Sequence, residues 1–421
     1  MTRISFQTQT ATSPLSRGAS AIPFLVAGCV VAVWFWCSIG MAQDVIIRKT
    51  TAAKLTVDLT ELRAGGSAGA IFLKTVDEDL KRSGWVVPVR SGAGYGAGGV
   101  LAAAGNGLRV PLVVQNNETR QTLFNQSLGI DNADPKRLGH RVSDAILQAV
   151  TGRRGMSGCR LVLIGATARG KELFVCDADG SNLAPLTSEG SIVLAPTWGP
   201  RGDQILYTSF RRGFADCYLL DLRGGKTHLV AQYSGMNMAG DVSPNGQDAA
   251  LILSKDGNPE LYLKNLASGA LTRMTQSRNV GEASPSWSPD GSQIVYVSDA
   301  AGVSSPQLYL ISRGGGPRRL TTRGSQNVGP DWGANNLIAY SSRQGGRFAL
   351  VVYDPALQEH RVIAQDGGDY EDPSWAPDGR HLFCTRTEGY RSSIYLLDIM
   401  GDPPLKLPLP VGNWRSPACS P

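Results

Sequence analysis

Several kinds of chemistry are missing from this sequence. Its four histidines (His140, His228, His360, His381) are scattered, with no His-x-x-x-His pair and no cysteine partner at ligand spacing, so chain neighbours assemble none of the usual zinc sites. The seven cysteines contain no Cys-x-x-Cys, which removes the zinc-ribbon and dithiol redox patterns. The formal net charge is only +6 over 421 residues, and it falls to +4 once residues 1–42, which hold Arg3, Arg17 and no acid, are set aside. That charge is too small and too dispersed for nucleic acid, and no basic run with interleaved aromatics appears. Asp290 and Asp378 fall in turn sequences, and no calcium-type oxygen-ligand loop can be recognised. Neither cofactor nor metal is expected.

Two motifs imitate active sites. Gly65-Gly-Ser67-Ala-Gly69 matches Gly-x-Ser-x-Gly, but a nucleophile elbow needs a large parallel sheet that this stretch is too short to supply. Gly94-Tyr-Gly96-Ala-Gly-Gly99 matches Gly-x-Gly-x-x-Gly, yet only Val100 to Ala104 could form the helix that should follow, and no acidic residue completes the site. Residues 91–107 read instead as a glycine-rich loop.

What the chain does have is fifty glycines and a repeat. Ala283-Ser-Pro-Ser-Trp287-Ser-Pro-Asp-Gly291 followed by Gln293-Ile-Val-Tyr-Val297 recurs in degraded form, with anchors at Trp198, Val242, Trp287, Trp332, Trp375 and Cys419 spaced 44, 45, 45, 43 and 44 residues apart. Each period reads as four strands: the stretch before the anchor, Gln293–Val297, Gln307–Ile311, and an outer Arg318–Thr322. A lone four-stranded sheet cannot cover both of its apolar faces, so such units stack in a ring. The anchor tryptophans read as packing between units. The sixth copy, Cys419-Ser-Pro421, stops after its inner strand. Leu161–Ile164, Glu172–Cys176 and Asn182–Thr187 supply the strands that it lacks, which closes a six-bladed β-propeller without a free edge. The five cysteines from Cys159 onward read first as small buried hydrophobes; Cys159 or Cys419, in this closing region, is the candidate should any of them form a disulfide.

Ahead of the ring, residues 43–152 read as a small α/β domain. Strands are expected at Asp44–Lys49, Lys54–Leu62 and Trp85–Val89. A helix carrying Ile71, Phe72, Val76 and Leu80 ends at Ser83-Gly84. A hairpin spans Leu108–Gln115 and Thr119–Leu128. Asp134-Pro135 starts a second helix with Leu138, Val142, Ile146 and Val150 on one face. Residues 1–42 combine a basic start, an apolar run from Phe24 to Cys37 and small residues at Gly40 and Ala42, the pattern of a secretory signal. An uncleaved anchor, or lipoprotein processing at Cys29, are the alternatives, and all three export the rest.

The Trp-Ser-Pro-Asp-Gly repeats, the ending Trp414-Arg-Ser-Pro-Ala-Cys-Ser-Pro421, and the helix and linker from His140 to Gly158 together resemble the TolB family, periplasmic components of the Tol–Pal system, over about residues 44–421. The resemblance implies a monomeric, non-enzymatic scaffold that seats the lipoprotein Pal on one mouth of the propeller and engages a TolA-like inner-membrane protein through its mature N-terminus. Other outer-membrane proteins are further candidate partners. The loops entering each inner strand converge on that mouth: Met236, Asn237 and Met238; Asn279, Val280, Glu282 and Ala283; Gln326 and Asn327; Tyr370 and Glu371; Trp414 and Arg415. The N-terminal segment is Asp44, Val45, Ile46, Ile47 and Arg48. Two other classes stay open: a propeller hydrolase or lactonase with a metal in its channel, and a glycan-binding propeller.

Overall fold

The turn after each anchor is what lets a repeat double back. In the third repeat the Ser288 hydroxyl donates to Asp290 at 2.6 Å, Asp290 accepts the Ser292 N–H at 3.0 Å, and Gly291 sits at φ +70°. A glycine enters that left-handed region without steric cost. In the fourth repeat, which has no glycine there, Asn336 takes the same conformation at φ 62°, as asparagine tolerates better than most residues.

The computed structural model describes residues 53–421. The expected signal sequence, Cys29 and the whole segment Asp44–Arg48 lie outside the described residues.

From residue 160 onward the chain forms six four-stranded antiparallel sheets. The first strands of the first five are Val193–Trp198, Asn237–Val242, Glu282–Trp287, Asn327–Trp332 and Asp369–Trp375. The sixth sheet has the order Ala184–Pro185, Gly170–Asp177, Arg160–Thr167, Trp414–Cys419, with Trp414 opposite Gly165 and Cys419 opposite Leu161. The early strands therefore complete the last blade, as the repeat count requires. Consecutive first strands touch one another all the way round, the last against the first, so they surround the axis. Outer strands are shorter than expected: Arg318–Arg319 rather than Arg318–Thr322, and Ala184–Pro185 rather than 182–187. At the rim little apolar surface is available to order them.

Packing between sheets holds the ring. Ala250, Ile252, Leu261 and Leu263 of the second blade share one cluster with Trp287, Ile294 and Tyr296 of the third. All four anchor tryptophans are buried. A second set of links depends on the residue just before each anchor. Asp241 accepts the backbone N–H of Trp287 (2.9 Å), Ser286 that of Trp332 (3.1 Å), Asp331 that of Trp375 (2.7 Å) and Ser374 that of Cys419 (3.0 Å). At four of the six junctions one side chain thus satisfies a backbone amide of another blade.

The N-terminal region is a seven-stranded mixed sheet carrying helices Gly66–Arg82 and Pro135–Thr151, whose Phe72, Val76, Leu80, Leu138, Val142 and Ile146 share its core. Asp134 caps the second helix by accepting the N–H groups of Lys136 and Arg137, and Gly152 ends it at φ +70°. The expected strand 54–62 is interrupted, with Leu55–Asp58 and Leu62–Arg63 flanking a turn.

Residues 91–107 correct the expectation of a loop. Tyr95–Val100 is a strand pairing with Leu55–Asp58, Leu62–Arg63 and Gly107–Asn116, and Ala102–Ala104 is another. The glycines here mark close approach: a Cβ on Gly99 would lie 2.5 Å from the Pro111 carbonyl oxygen, and one on Gly98 3.1 Å from Glu61 Cβ. The Gly-x-Gly-x-x-Gly match is therefore strand, with no helix N-terminus behind it.

Candidate functional site: the propeller mouth

Within each blade the first strand leaves one mouth, the second returns to it and the third leaves again. The loops into first strands and the loops between second and third strands therefore emerge together. That rim carries bare apolar side chains. Phe214 is 75% exposed, Val303 81% and Tyr390 96%, each at a tip between second and third strands. Val411 is fully exposed, and Ile192 is exposed just before Val193. Apolar side chains on several loops of one rim are what a protein-binding face offers.

The predicted mouth residues divide into two groups. Asn237 and Asn327 occupy the same position in their blades and are buried. Asn237 Nδ2 donates to the carbonyls of Ala215 (3.0 Å) and Tyr233 (2.9 Å), while Asn327 Nδ2 donates to Gln307 Oε1 and the Arg323 carbonyl, both at 2.7 Å. They fasten the incoming loop. Tyr370 is buried with its hydroxyl on Asp366 at 2.9 Å. Trp414 packs edge-on against Phe174 at 5.1 Å and donates Nε1–H to the Pro410 carbonyl. Met236 and Met238 are half-buried against the cluster of the second and third blades. Asn279, Ala283 and Arg415 are exposed, and Val280, Gln326 and Glu371 are partly so. The buried members shape the mouth from beneath, and the exposed ones can touch a ligand.

Glu282 is a special case. Burial first, then the nearby Glu260 and Asp299 carboxylates, push it up to about 7, and its Oε2 has no hydrogen-bond partner. Glu260 is also buried, but Thr275, Ser277, Asn258 and Arg273 more than offset that burial and hold it below the usual carboxylate range. Lower around the axis, burial raises Asp241 to about 6 and Asp331 to about 7, and it raises Asp372, whose carboxylate accepts the Ser416 hydroxyl at 2.9 Å. Among the described residues no group of three or more His, Cys, Asp or Glu side chains is placed to hold a metal ion.

Periodicity could not show two features. The residues before the anchors are visible as Asp or Ser, but their bonds cross between blades. The exposed rim residues sit in loops outside the repeat pattern. The Gly-x-Ser-x-Gly match also resolves structurally. Ser67 is exposed in the first turn of a helix, Gly69 is there because a Cβ would meet the Ala64 carbonyl carbon at 2.6 Å, and His140 is committed to Asp79 at 2.6 Å.

A family model described as the TolB beta propeller domain matches residues 147–421. Among curated proteins, a "Protein TolB homolog" of Chlorobium chlorochromatii is 30% identical over 49% of this chain and 46% of its own length. One of Chlorobium luteolum is 28% identical over 54% of this chain and 51% of its own length. The match thus spans about half the length of these relatives. The crystal structure of TolB from Acinetobacter baumannii superposes with a TM-score of 0.78 at 26% identity, covering 88% of this chain and 97% of that one. With a matching family model over the whole ring and a solved structure that shares the N-terminal sheet as well, this chain belongs to the TolB β-propeller family.

Proposed function

We propose that this protein is a periplasmic, non-enzymatic scaffold of the Tol–Pal system. Residues 1–42 direct export, 43–152 form the N-terminal domain and 153–421 the propeller. The mouth binds the lipoprotein Pal and so competes with or releases Pal's hold on peptidoglycan. The segment Asp44–Arg48 engages a TolA-like inner-membrane protein, and the cellular outcome is outer-membrane integrity and constriction at division. The chain acts as a monomer. The observation that carries this reading is the mouth itself: a rim of exposed Phe214, Val303, Tyr390 and Val411 around loops held rigid by Asn237 and Asn327. Rigid loops bearing aromatic anchors bind a partner with little ordering cost.

The test is pull-down of the soluble domain of Pal by the purified chain and by Phe214→Asp, Val303→Asp and Tyr390→Ala. These side chains are exposed, so the variants fold. Loss of Pal by at least about tenfold in one or more of them is expected; undiminished capture by all three removes the mouth as the Pal site.

A further inference from the structure

At the seam where the last strand of the ring meets the first, two cysteines face each other. The Sγ atoms of Cys159 and Cys419 are 2.9 Å apart, across 260 residues of chain. That is well inside contact distance for two unbonded sulfurs, and closing by roughly 0.9 Å gives a disulfide bond length. The backbone here is already tied from both sides: Ser420 N–H donates to the Arg160 carbonyl (2.8 Å) and Arg160 N–H to Ser420 Oγ (2.9 Å). Cys159 is buried and Cys419 half-exposed. A cleft of about 280 Å³, lined by Asp144, Gln148, Arg154, Cys159 and Pro421 among others, reaches Cys159. The other described cysteines, Cys176, Cys217 and Cys384, are buried, and none of them lies within hydrogen-bond distance of another sulfur among the described residues.

We propose that Cys159 and Cys419 form a disulfide that clasps the propeller shut at its sixth blade. The sixth blade is completed by strand pairing between Trp414–Cys419 and Arg160–Thr167, so opening of this seam separates the two sulfurs and a covalent bond there opposes it. The bond would enclose almost the whole propeller in one loop, which is where a cross-link constrains the unfolded chain most.

The chemistry needs a disulfide donor, and oxidised glutathione represents the class. The Cys419 thiolate attacks one glutathione sulfur, the donor's S–S bond breaks, and the first glutathione leaves as a thiolate that takes up the proton given up by Cys419. Cys159 then loses its proton and attacks Cys419 Sγ. The second glutathione leaves and takes up that proton. Two protein thiols are oxidised and one donor disulfide is reduced to two thiols. The Cys419 thiol beside it, and then burial, hold the Cys159 thiol well above its usual range. The half-exposed Cys419 is therefore the group that meets the donor, and proximity lets Cys159 resolve the mixed disulfide.

The test does not depend on what the mouth binds. The full chain is incubated with oxidised glutathione under native conditions, alkylated, digested with trypsin and analysed by mass spectrometry. Peptides 155–160 and 416–421 should appear joined and separate on reduction. The melting midpoint of the oxidised chain should exceed that of the reduced chain by about 5–10 °C. Cys419→Ser should lose both the link and the reduction-dependent shift, and Cys159→Ala serves as the second variant if the first fails to fold. Separate alkylated or glutathione-bearing peptides, a link from Cys159 to the peptide carrying Cys176 instead, or a melting shift that persists in both variants would each overturn the proposal.

Discussion

The two ends of the propeller are finished differently. At the far end from the mouth, turns of the fifth and sixth blades meet the N-terminal region through charge: Lys136 to Asp179 at 2.7 Å, Arg137 to Asp177 at 3.7 Å and Lys54 to Asp402 at 3.1 Å. The guanidinium groups of Arg153 and Arg380 stack on Trp85 at 4.3 and 4.4 Å. The described mouth loops also carry ion pairs, among them Arg211 to Glu189, Arg347 to Asp369 and Arg386 to Asp366, but the bare apolar side chains of Phe214, Val303, Tyr390 and Val411 stand beside them. One end is thus used within the chain, and the other presents the kind of surface that a separate protein would cover. Polar pairing suits a junction that must stay in register, because misplacing a buried charge is costly. Apolar side chains on rigid loops suit a face that waits for a partner.

Six substitutions in four groups test that contrast, in falling order of effect. Arg380→Ala should be the most damaging. Arg380 is buried, makes a two-point bond to buried Asp398 at 3.0 and 2.6 Å and stacks on Trp85. Its loss leaves a buried carboxylate unpaired, a cost of about 3–5 kcal/mol in urea unfolding. A cost under about 1 kcal/mol would mean that the charged end is ornamental.

Asn237→Ala and Asn327→Ala remove the tethers under the mouth and strand buried carbonyls, which should cost about 1–3 kcal/mol each. Pal capture should fall with them, because the rim loses its rigidity. Stability loss without any loss of capture would separate the tethers from function.

Asp331→Asn addresses pH. Asp241, Asp331 and Glu282 have folded values of about 6, 7 and 7, raised above the ordinary carboxylate range chiefly by burial. A raised acid favours the fold while protonated. Its contribution is complete below about pH 4 and is lost as pH rises through about 6–7. His140, also raised, by Asp79 and Asp179 against the opposing effect of burial, acts in the same direction. The melting midpoint should therefore fall between pH 5 and pH 8, and Asp331→Asn, which keeps an acceptor for Trp375 N–H, should flatten that fall by about 2–5 °C. An unchanged slope would show that Asp331 does not titrate there.

Phe214→Ser and Tyr390→Ala should change stability least, within about 0.5 kcal/mol, since both side chains project from loop tips. A larger loss in thermal unfolding would mean that these residues pack within the chain and would weaken the case for the mouth.

How far the sequence could be read depended on whether a signal was local. The anchors, the Ser-Pro-Asp-Gly turns and the capped helix at Asp134-Pro135 were legible because each records a short-range requirement. The stretch 91–107 was misread because glycine has two uses, freedom and close approach, and only the Pro111 carbonyl packed against Gly99 separates them. At the mouth, the positions of the loops followed from strand direction. Whether Tyr370 or Asn237 pointed out or in did not, because that depends on Asp366 and on the Ala215 carbonyl of the preceding blade.

By itself, then, the sequence determined the repeat, the number of blades and the way the ring closes, since each follows from spacing and from sheets too small to cover their own faces. The tertiary structure alone decided which acids burial raises, which asparagines became tethers, and that two thiols 260 residues apart stand side by side. Those outcomes depend on neighbours from other blades, and no window along the chain contains them.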